Sequence, residues 1–307
     1  MATTVVAPVD NSIALAAKYY PLLDEVYKRA SLTAILDTPS NRINWVGANA
    51  VNVMKMDVVG MSTYSRNAGY VPGDLDGAWE TLTIALDRGR SYQLDALDSD
   101  ETLGVLLGNM LGEVERTQIV PEWDAYTFAK LAGTAGIGGD TGSIVVGTTD
   151  VAALVDSAEA DMDDAEVPYE GRILFVSPTC YNALKAKIER RIINSENNVN
   201  TNVDFYDDMR IIRVPQARFQ TAITLNAPTS SSGAGGYSSN GQNINFMIVH
   251  PSAVIKTMKH YVPRLFSPAQ NIEADAYRLN VRYAGDCWVL DNKVGGIYVH
   301  AEASSSS

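Results

Sequence analysis

Few residues could do chemistry, and their spacing suits none of the common sites. Gly136-Ile137-Gly138-Gly139-Asp140-Thr141-Gly142 has the glycine density of a phosphate-cradling loop. It lacks a Gly-Lys-Ser/Thr ending and follows a helical pattern rather than a strand, so it reads as a flexible hinge. Asp161, Asp163, Asp164 and Glu166 bring four carboxylates together. A calcium loop would add a central glycine and a distant bidentate glutamate, and both are missing. The cluster reads as a solvated helix end, and Asp204, Asp207 and Asp208 read likewise. His250, His260 and His300 are the only histidines; the first two are ten apart, which is not a helical zinc pair. Cys180 follows Pro178-Thr179 at a predicted helix start, a place that favours a thiolate, but no histidine matches it. Ser177 and Ser252 lack the Gly-x-Ser-x-Gly elbow. The sequence therefore predicts no catalytic residues, no metal and no cofactor.

Length and charge narrow the classes further. A compact chain of 307 residues buries ~74% of its unfolded surface, enough for one large or two ordinary domains. Hydrophobic residues make up 46% and charged residues 20%, which marks a globular chain. Thirty-six acidic against twenty-four basic residues give a net charge of −12, which opposes a surface built to grip nucleic-acid phosphates. It does not oppose enclosing DNA, since a container should repel its contents. The basic pairs Arg88/Arg90 and Arg190/Arg191 are too short for a phosphate track. Cys180 and Cys287 form no framework, which predicts a reduced cytoplasm. The N-terminus carries no basic, apolar signal segment. No run reaches the ~20 apolar residues of a bilayer span.

The elements that must position these residues begin with an arm. Ile13–Tyr20 and Leu22–Arg29 predict short helices, broken at Thr38-Pro39-Ser40-Asn41. Ile43–Val59 reads as extended, with a slip at Val53-Met54 that suggests a bulge. Leu82, Ile84, Leu86, Tyr92 and Leu94 share one parity and predict a single long strand. Gly60–Ala78 between them is a turn-rich tip. Seventeen residues reach ~56 Å, and a two-stranded ribbon of that length needs a neighbour to lie on. Met54, Met56 and Met61 read as its apolar filler.

Asp98 and Glu101 form a capping box ahead of Leu103, Leu106, Leu107, Met110, Leu111 and Val114, one apolar stripe. Pro121 interrupts or kinks this helix and Gly133 ends it; Ser99–Ala132 makes a rod of ~51 Å. Asp150–Asp164 predicts an amphipathic helix. Leu174-Phe175-Val176-Ser177-Pro178-Thr179 and Met247-Ile248-Val249-His250-Pro251-Ser252 each predict a strand, a proline and a helix. Met209–Val214 predicts a strand and Thr229–Gly241 a Gly/Ser surface loop. Tyr277, Leu279, Val281 and Tyr283 alternate as a strand. Trp288–Leu290 and Ile297–Val299 flank a predicted hairpin turn. The fold class is α+β.

The run Trp79-Glu80-Thr81-Leu82-Thr83-Ile84-Ala85-Leu86-Asp87-Arg88-Gly89-Arg90, leading into Asp98-Ser99-Asp100-Glu101, resembles the major capsid proteins of tailed bacteriophages, the Hong Kong 97 type. Val249-His250-Pro251-Ser252 and the ending Asp286-Cys287-Trp288 through Gly295-Gly296-Ile297-Tyr298-Val299 are similar too. The resemblance implies an N-terminal arm at 1–41 and an extended loop, a β-hairpin, at 42–95. It implies a peripheral domain with a spine helix at 96–142 and 270–307, and an axial domain at 143–269. It also implies pentamers and hexamers in an icosahedral shell around phage double-stranded DNA, within a virion assembled in the host cytoplasm. Portal and decoration proteins are implied partners, with no membrane. An arm beginning this near Met1 favours a separate scaffolding protein over a cleaved scaffolding segment.

The inter-subunit contacts expected on this basis are Lys55, Arg66, Trp79, Leu82, Leu86, Arg88, Arg90 and Asn292. Leu82→Asp or Leu86→Asp is expected to leave a foldable subunit that assembles poorly. Some members of the family join a ribbon lysine to an asparagine, for which Lys55 and Asn292 are the candidates. An encapsulin-type nanocompartment around cargo enzymes is the alternative within the fold; a soluble α/β enzyme is the alternative outside it.

Overall fold

The computed structural model describes residues 31–39, 43, 45–46, 50–67, 69–97, 105–187, 204–227, 233 and 235–303. The predicted helices of the first thirty residues, the capping box at Asp98 and Glu101, Arg190/Arg191 and the Ser304–Ser307 tail lie outside them. The strands are β1 (Trp45–Val46), β2 (Ala50–Val58), β3 (Leu75–Thr83), β4 (Leu86–Asp95), β5 (Gly138–Thr141), β6 (Ile173–Val176), β7 (Phe205–Tyr206), β8 (Met209–Arg213), β9 (Ile223–Leu225), β10 (Tyr237–Ser239), β11 (Ile244–Val249), β12 (Val254–Tyr261), β13 (Arg264–Phe266), β14 (Ala276–Val289) and β15 (Ile297–Ala301). The α-helices are α1 (Val105–Val114), α2 (Val120–Ala132), α3 (Val151–Asp164) and α4 (Pro178–Lys187). The α+β class expected from the sequence is the class observed.

A six-stranded sheet, in the order β5-β15-β11-β6-β8-β7, forms the body. Its central strands are buried on both faces, which is why they read as unbroken apolar runs. Leu174, Val176, Phe246 and Ile248 pack under α3 and α4. Ile173, Phe175, Met247 and Val249 point the other way, onto Phe128 and Leu131 of α2. The glycines of the predicted hinge serve this sheet: β5 runs parallel to β15, and a Cβ on Gly139 would lie 2.8 Å from the Val299 carbonyl oxygen. The segment is thus an edge strand that needs close backbone approach, not a hinge alone.

A second sheet centres on β14, with β12 and β13 along one edge and β4 along the other. Leu86, Leu279, Val281 and Tyr283 face Ile119 and Trp123. Between α1 and α2 the helix widens into a π turn at Glu115–Ile119. Pro121 supplies no N–H and its ring crowds the carbonyls one turn back, which is where the wide turn falls. Gly133 caps the end, as the sequence predicts.

Five expectations need correction. The phase slip at Val53-Met54 is no bulge, since β2 and β3 pair through it in one unbroken register. The predicted single strand from Thr81 to Leu94 is two strands, broken at Ile84-Ala85: β3 pairs with β2, while β4 leaves the ribbon and pairs with β14 along its whole length. The break is held by Asp286, whose carboxylate accepts the Ala85 N–H at 2.8 Å in place of a strand partner. After Pro251 there is only a 3-10 turn at Pro251–Ala253, followed by β12 rather than a helix. Val254, Ile255 and Thr257 are β-branched and suit the ladder with β14. The predicted terminal hairpin is absent, because β14 and β15 enter different sheets from the turn at Asp291–Gly296. The Gly/Ser loop contains β10, which pairs with β9. Sheet membership also cuts across the expected domain limits. β12 and β13 sit with β14, and β15 sits in the six-stranded sheet.

Leu86 is 1% exposed, so it is a core residue of its own chain rather than the surface contact expected of it. Leu86→Ala should lower the unfolding free energy by about 2–5 kcal/mol, and Leu86→Asp should yield no folded subunit. Urea melts of Leu86→Ala beside wild type measure this; an unchanged midpoint would contradict the core placement.

Candidate assembly surface

The ribbon of β2 and β3 has two unlike faces. Register sets Met54 against Trp79, Met56 against Gly77 and Asn52 against Thr81 on one face. Directly opposed residues share a face, and the Thr81 hydroxyl donates to the Asn52 side chain at 2.9 Å. Met54, Met56, Val58 and Trp79 are 55–64% exposed there. The opposite face carries Val51, Val53 and Lys55 against Leu82, Glu80 and Ala78. It docks on the body: Val51 is buried, and Lys55 bonds both Glu80, at 2.8 Å, and Asp291. Leu82 is half-buried on this docked face. At the tip, Ser65 and Gly69 close a turn that carries Arg66 into solvent. The Tyr64 and Tyr70 rings meet there at a tilt of 57°, their centroids 4.9 Å apart.

Three buried carboxylates fix the parts that project. Asp286, fully buried, accepts the Ala85 N–H at the ribbon's root, the Tyr126 hydroxyl at 2.9 Å and the Cys287 N–H at 2.8 Å. Burial, then this carboxylate, pushes the Tyr126 phenol far above its usual range. Asp124, also fully buried, accepts Ser31 and Thr33 hydroxyls at 2.8 and 2.7 Å and the Leu32 N–H at 3.0 Å; Arg218 balances its charge at 3.0 Å. The arm is therefore tied to α2. Lys256 completes that tie: it is 1% exposed, donates to Thr33 O at 3.1 Å and Asp37 at 2.6 Å, and lies over the Trp123 ring. Glu122 takes Arg88 bidentately at 2.7 and 3.2 Å, with the Tyr283 hydroxyl at 2.5 Å.

The eight expected contact residues thus divide. Trp79 and Arg66 are exposed on the ribbon, and Asn292 is exposed in the turn after β14. Leu86, Arg88 and Arg90 face inward: Arg88 pairs with Glu122, and Arg90 donates to Gly233 O at 3.0 Å. Their parity on β4 was legible, but which face the body would cover was not. Lys55 bonds Asp291, the residue before Asn292, and its two carboxylate partners, Asp291 first, raise its pKa. Sequence reading missed Glu122, Asp124, Asp286, Lys256 and Arg218. The available signal was a charge set inside an apolar run, as in Val120-Pro121-Glu122-Trp123-Asp124-Ala125.

The other sequence candidates are structural. Burial pushes the Cys180 thiol up to about 12, so no thiolate forms at that helix start. His250 Nδ1 accepts the Ser252 N–H at 3.2 Å and caps the turn after β11. In the acidic region, Asp163 pairs with Arg172, and the Tyr206 hydroxyl donates to Asp156 at 2.5 Å. Glu159, between them, is pushed up to about 7, by burial first and then by Asp207, Asp156 and Asp163 against the opposing pull of Arg172.

Three outcomes follow from these contacts. Asp124→Ala leaves Arg218 buried without its carboxylate, so the subunit should lose about 3–5 kcal/mol, and limited proteolysis should release the arm. A wild-type digestion pattern would contradict the tie. Denaturing electrophoresis of boiled assemblies should show monomer only, because the Lys55 amine is held by Glu80 and Asp291 of its own chain; a ladder would overturn that. Glu159 has a folded pKa above its ordinary 4.5. Its stabilising contribution is full below 4.5 and is lost as pH rises through about 7. Glu159→Gln should therefore melt higher than wild type at pH 8 and lose that advantage by pH 5, as read by scanning calorimetry.

No protein-family model and no curated protein matches the sequence. Solved structures do match its fold. The capsid structure of cyanophage P-SCSP1u aligns at a TM-score of 0.62 and 14% identity, over 99% of this chain and 97% of that one. A structure from Gordonia phage Cozz aligns at 0.64 and 14%, over 98% and 99%. The mature capsid of bacteriophage PhiM1 aligns at 0.60 and 13%, over 95% and 93%. At such identities the likeness is one of fold, and it runs from end to end: this chain is folded as phage capsid subunits are.

Proposed function

We propose that this chain is a major capsid protein of the Hong Kong 97 type, a structural subunit rather than an enzyme. The end-to-end likeness to capsid structures carries the reading, and the one-sided ribbon gives it a mechanism. In this reading residues 1–41 form the arm, and β2, β3 and the tip form the extended loop. The spine helix is α1 to α2, lying in a peripheral domain with the β14 sheet, and the six-stranded sheet is the core of the axial domain. Copies join into pentamers and hexamers and close an icosahedral shell around phage DNA, within a virion built in the host cytoplasm. A separate scaffolding protein, a portal and decoration proteins are the partners this assembly calls for.

The physics is repeated modest association. A standard contact buries ~1,600 Å²; a subunit held on several sides sums such contacts, and release requires breaking them together. The net charge of −12 holds free copies apart and repels enclosed DNA from the wall.

Electron microscopy of the expressed chain, with its scaffolding partner where rings alone form, tests the reading. Wild type should give closed particles. Trp79→Asp, at an exposed ribbon position, should give a folded subunit with wild-type circular dichroism and at least tenfold fewer particles. A wild-type chain that stays a compact monomer under all assembly conditions would end the proposal.

A further inference from the structure

The β7–β8 hairpin is the least self-sufficient part of the six-stranded sheet. β7 has two residues and pairs with β8 alone, at the sheet's edge. The turn between them is Asp207-Asp208, and both residues take the left-handed backbone, at φ 41° and 61°. Two-residue turns of that kind favour asparagine and glycine, and neither stands here. So short a hairpin is marginal without a support. Its support is α3. Tyr206 is half-buried against the core beneath that helix and donates its hydroxyl to Asp156 at 2.5 Å.

The helix face under the turn is crowded with like charge. Asp156, Glu159 and Asp163 follow one another at spacings of three and four, which places them on one face. Asp207 approaches the same face from the turn. The charged groups facing Glu159 are these three aspartates and Arg172, which enters from the segment before β6. Arg172 is already committed: its side chain is 1% exposed, it pairs with Asp163, and it donates to the carbonyls of Val167 and Pro168 at 2.6 and 3.0 Å. Asp156 has the Tyr206 hydroxyl. Glu159 is half-buried, and among the described residues no donor bonds its carboxylate. A carboxyl so placed is favoured in its protonated form, and in that form it adds no charge beneath Asp207.

We propose that the Asp207-Asp208 turn rests on Glu159 as a proton-operated latch. With Glu159 protonated, the hairpin lies on α3 and covers the sheet's edge. With Glu159 ionised, repulsion from Asp207 lifts the hairpin, draws Tyr206 from Asp156 and uncovers β8. Glu159 holds its proton more tightly in the docked state than in the released one, so docking is complete in acid and weakens as pH rises through about 7. An uncovered strand edge offers unpaired backbone groups to another strand. The latch therefore makes this edge available only on the alkaline side. It is a property of the folded chain and stands apart from the shell reading.

Hydrogen exchange of the full chain reads the latch directly. The Ile211 N–H donates to Asp204 O at 3.0 Å across the hairpin, so its protection, corrected for the intrinsic rate at each pH, reports docking. That protection should fall at least fivefold between pH 6 and pH 8.5, while the amides of β11 keep theirs. Glu159→Gln should hold the acid value throughout. Asp207→Asn, a surface change that suits the left-handed turn, should shrink the fall to less than twofold. Protection that stays flat in wild type would overturn the proposal. So would an undiminished fall in Glu159→Gln, which would assign the effect to another group. Should Glu159→Gln alter the fold by circular dichroism, Asp207→Asn decides alone, and an undiminished fall there overturns the proposal as well.

Discussion

Three carboxylates taken out of water decide where everything else in this subunit points. Glu122 and Asp124 sit two residues apart in α2, and Asp286 lies on β14 beneath the same helix, each almost without exposure. A buried ion is costly unless its partners are complete. Each of these is met by several donors: arginine and tyrosine for Glu122, arginine and the arm for Asp124, the ribbon's root and a tyrosine for Asp286. Apolar packing would have held arm, ribbon and helix together with little angular preference. Directed hydrogen bonds to fixed acceptors set the angles at which arm and ribbon leave the body.

The rest of the molecule divides the work. The six-stranded sheet, covered on both faces, holds the large aromatic core of Phe128, Phe175 and Phe219 and needs nothing from outside. The ribbon is the opposite case. Its inner face satisfies itself against the body, while its outer face keeps methionine and tryptophan in water.

Elements with one strong local signal were legible in the sequence. The alternation of Tyr277 to Tyr283, the apolar run of β6 and the glycine stop at Gly133 all took their expected form. Misreadings occurred where local pattern is shared by two outcomes. Proline after a strand opens a helix at Pro178 and only a single turn at Pro251; what separates them is the β-branched pair Val254-Ile255 and a waiting edge on β14. Leu82 and Leu86 keep the same parity across Ile84-Ala85, so alternation alone could not reveal that the chain changes sheets there. That change depends on Asp286, two hundred residues away. For the surface, hydrophobic residues on the ribbon were visible as such. Which of its faces the body covers depends on Asp291, far along the chain, whose placement no local window contains.

The wide turn at Glu115–Ile119 acts as an index mark on the helical rod. An α-helix advances ~100° per residue, so one residue accommodated in a broadened turn re-phases all that precedes it relative to all that follows. With that offset Met110, Leu111 and Val114 of α1 and Trp123 and Tyr126 of α2 reach the same patch of the β14 sheet. An uninterrupted α-helix of the same sequence would turn the first group aside. The rod's two halves are thus geared to one surface by a local departure from regularity.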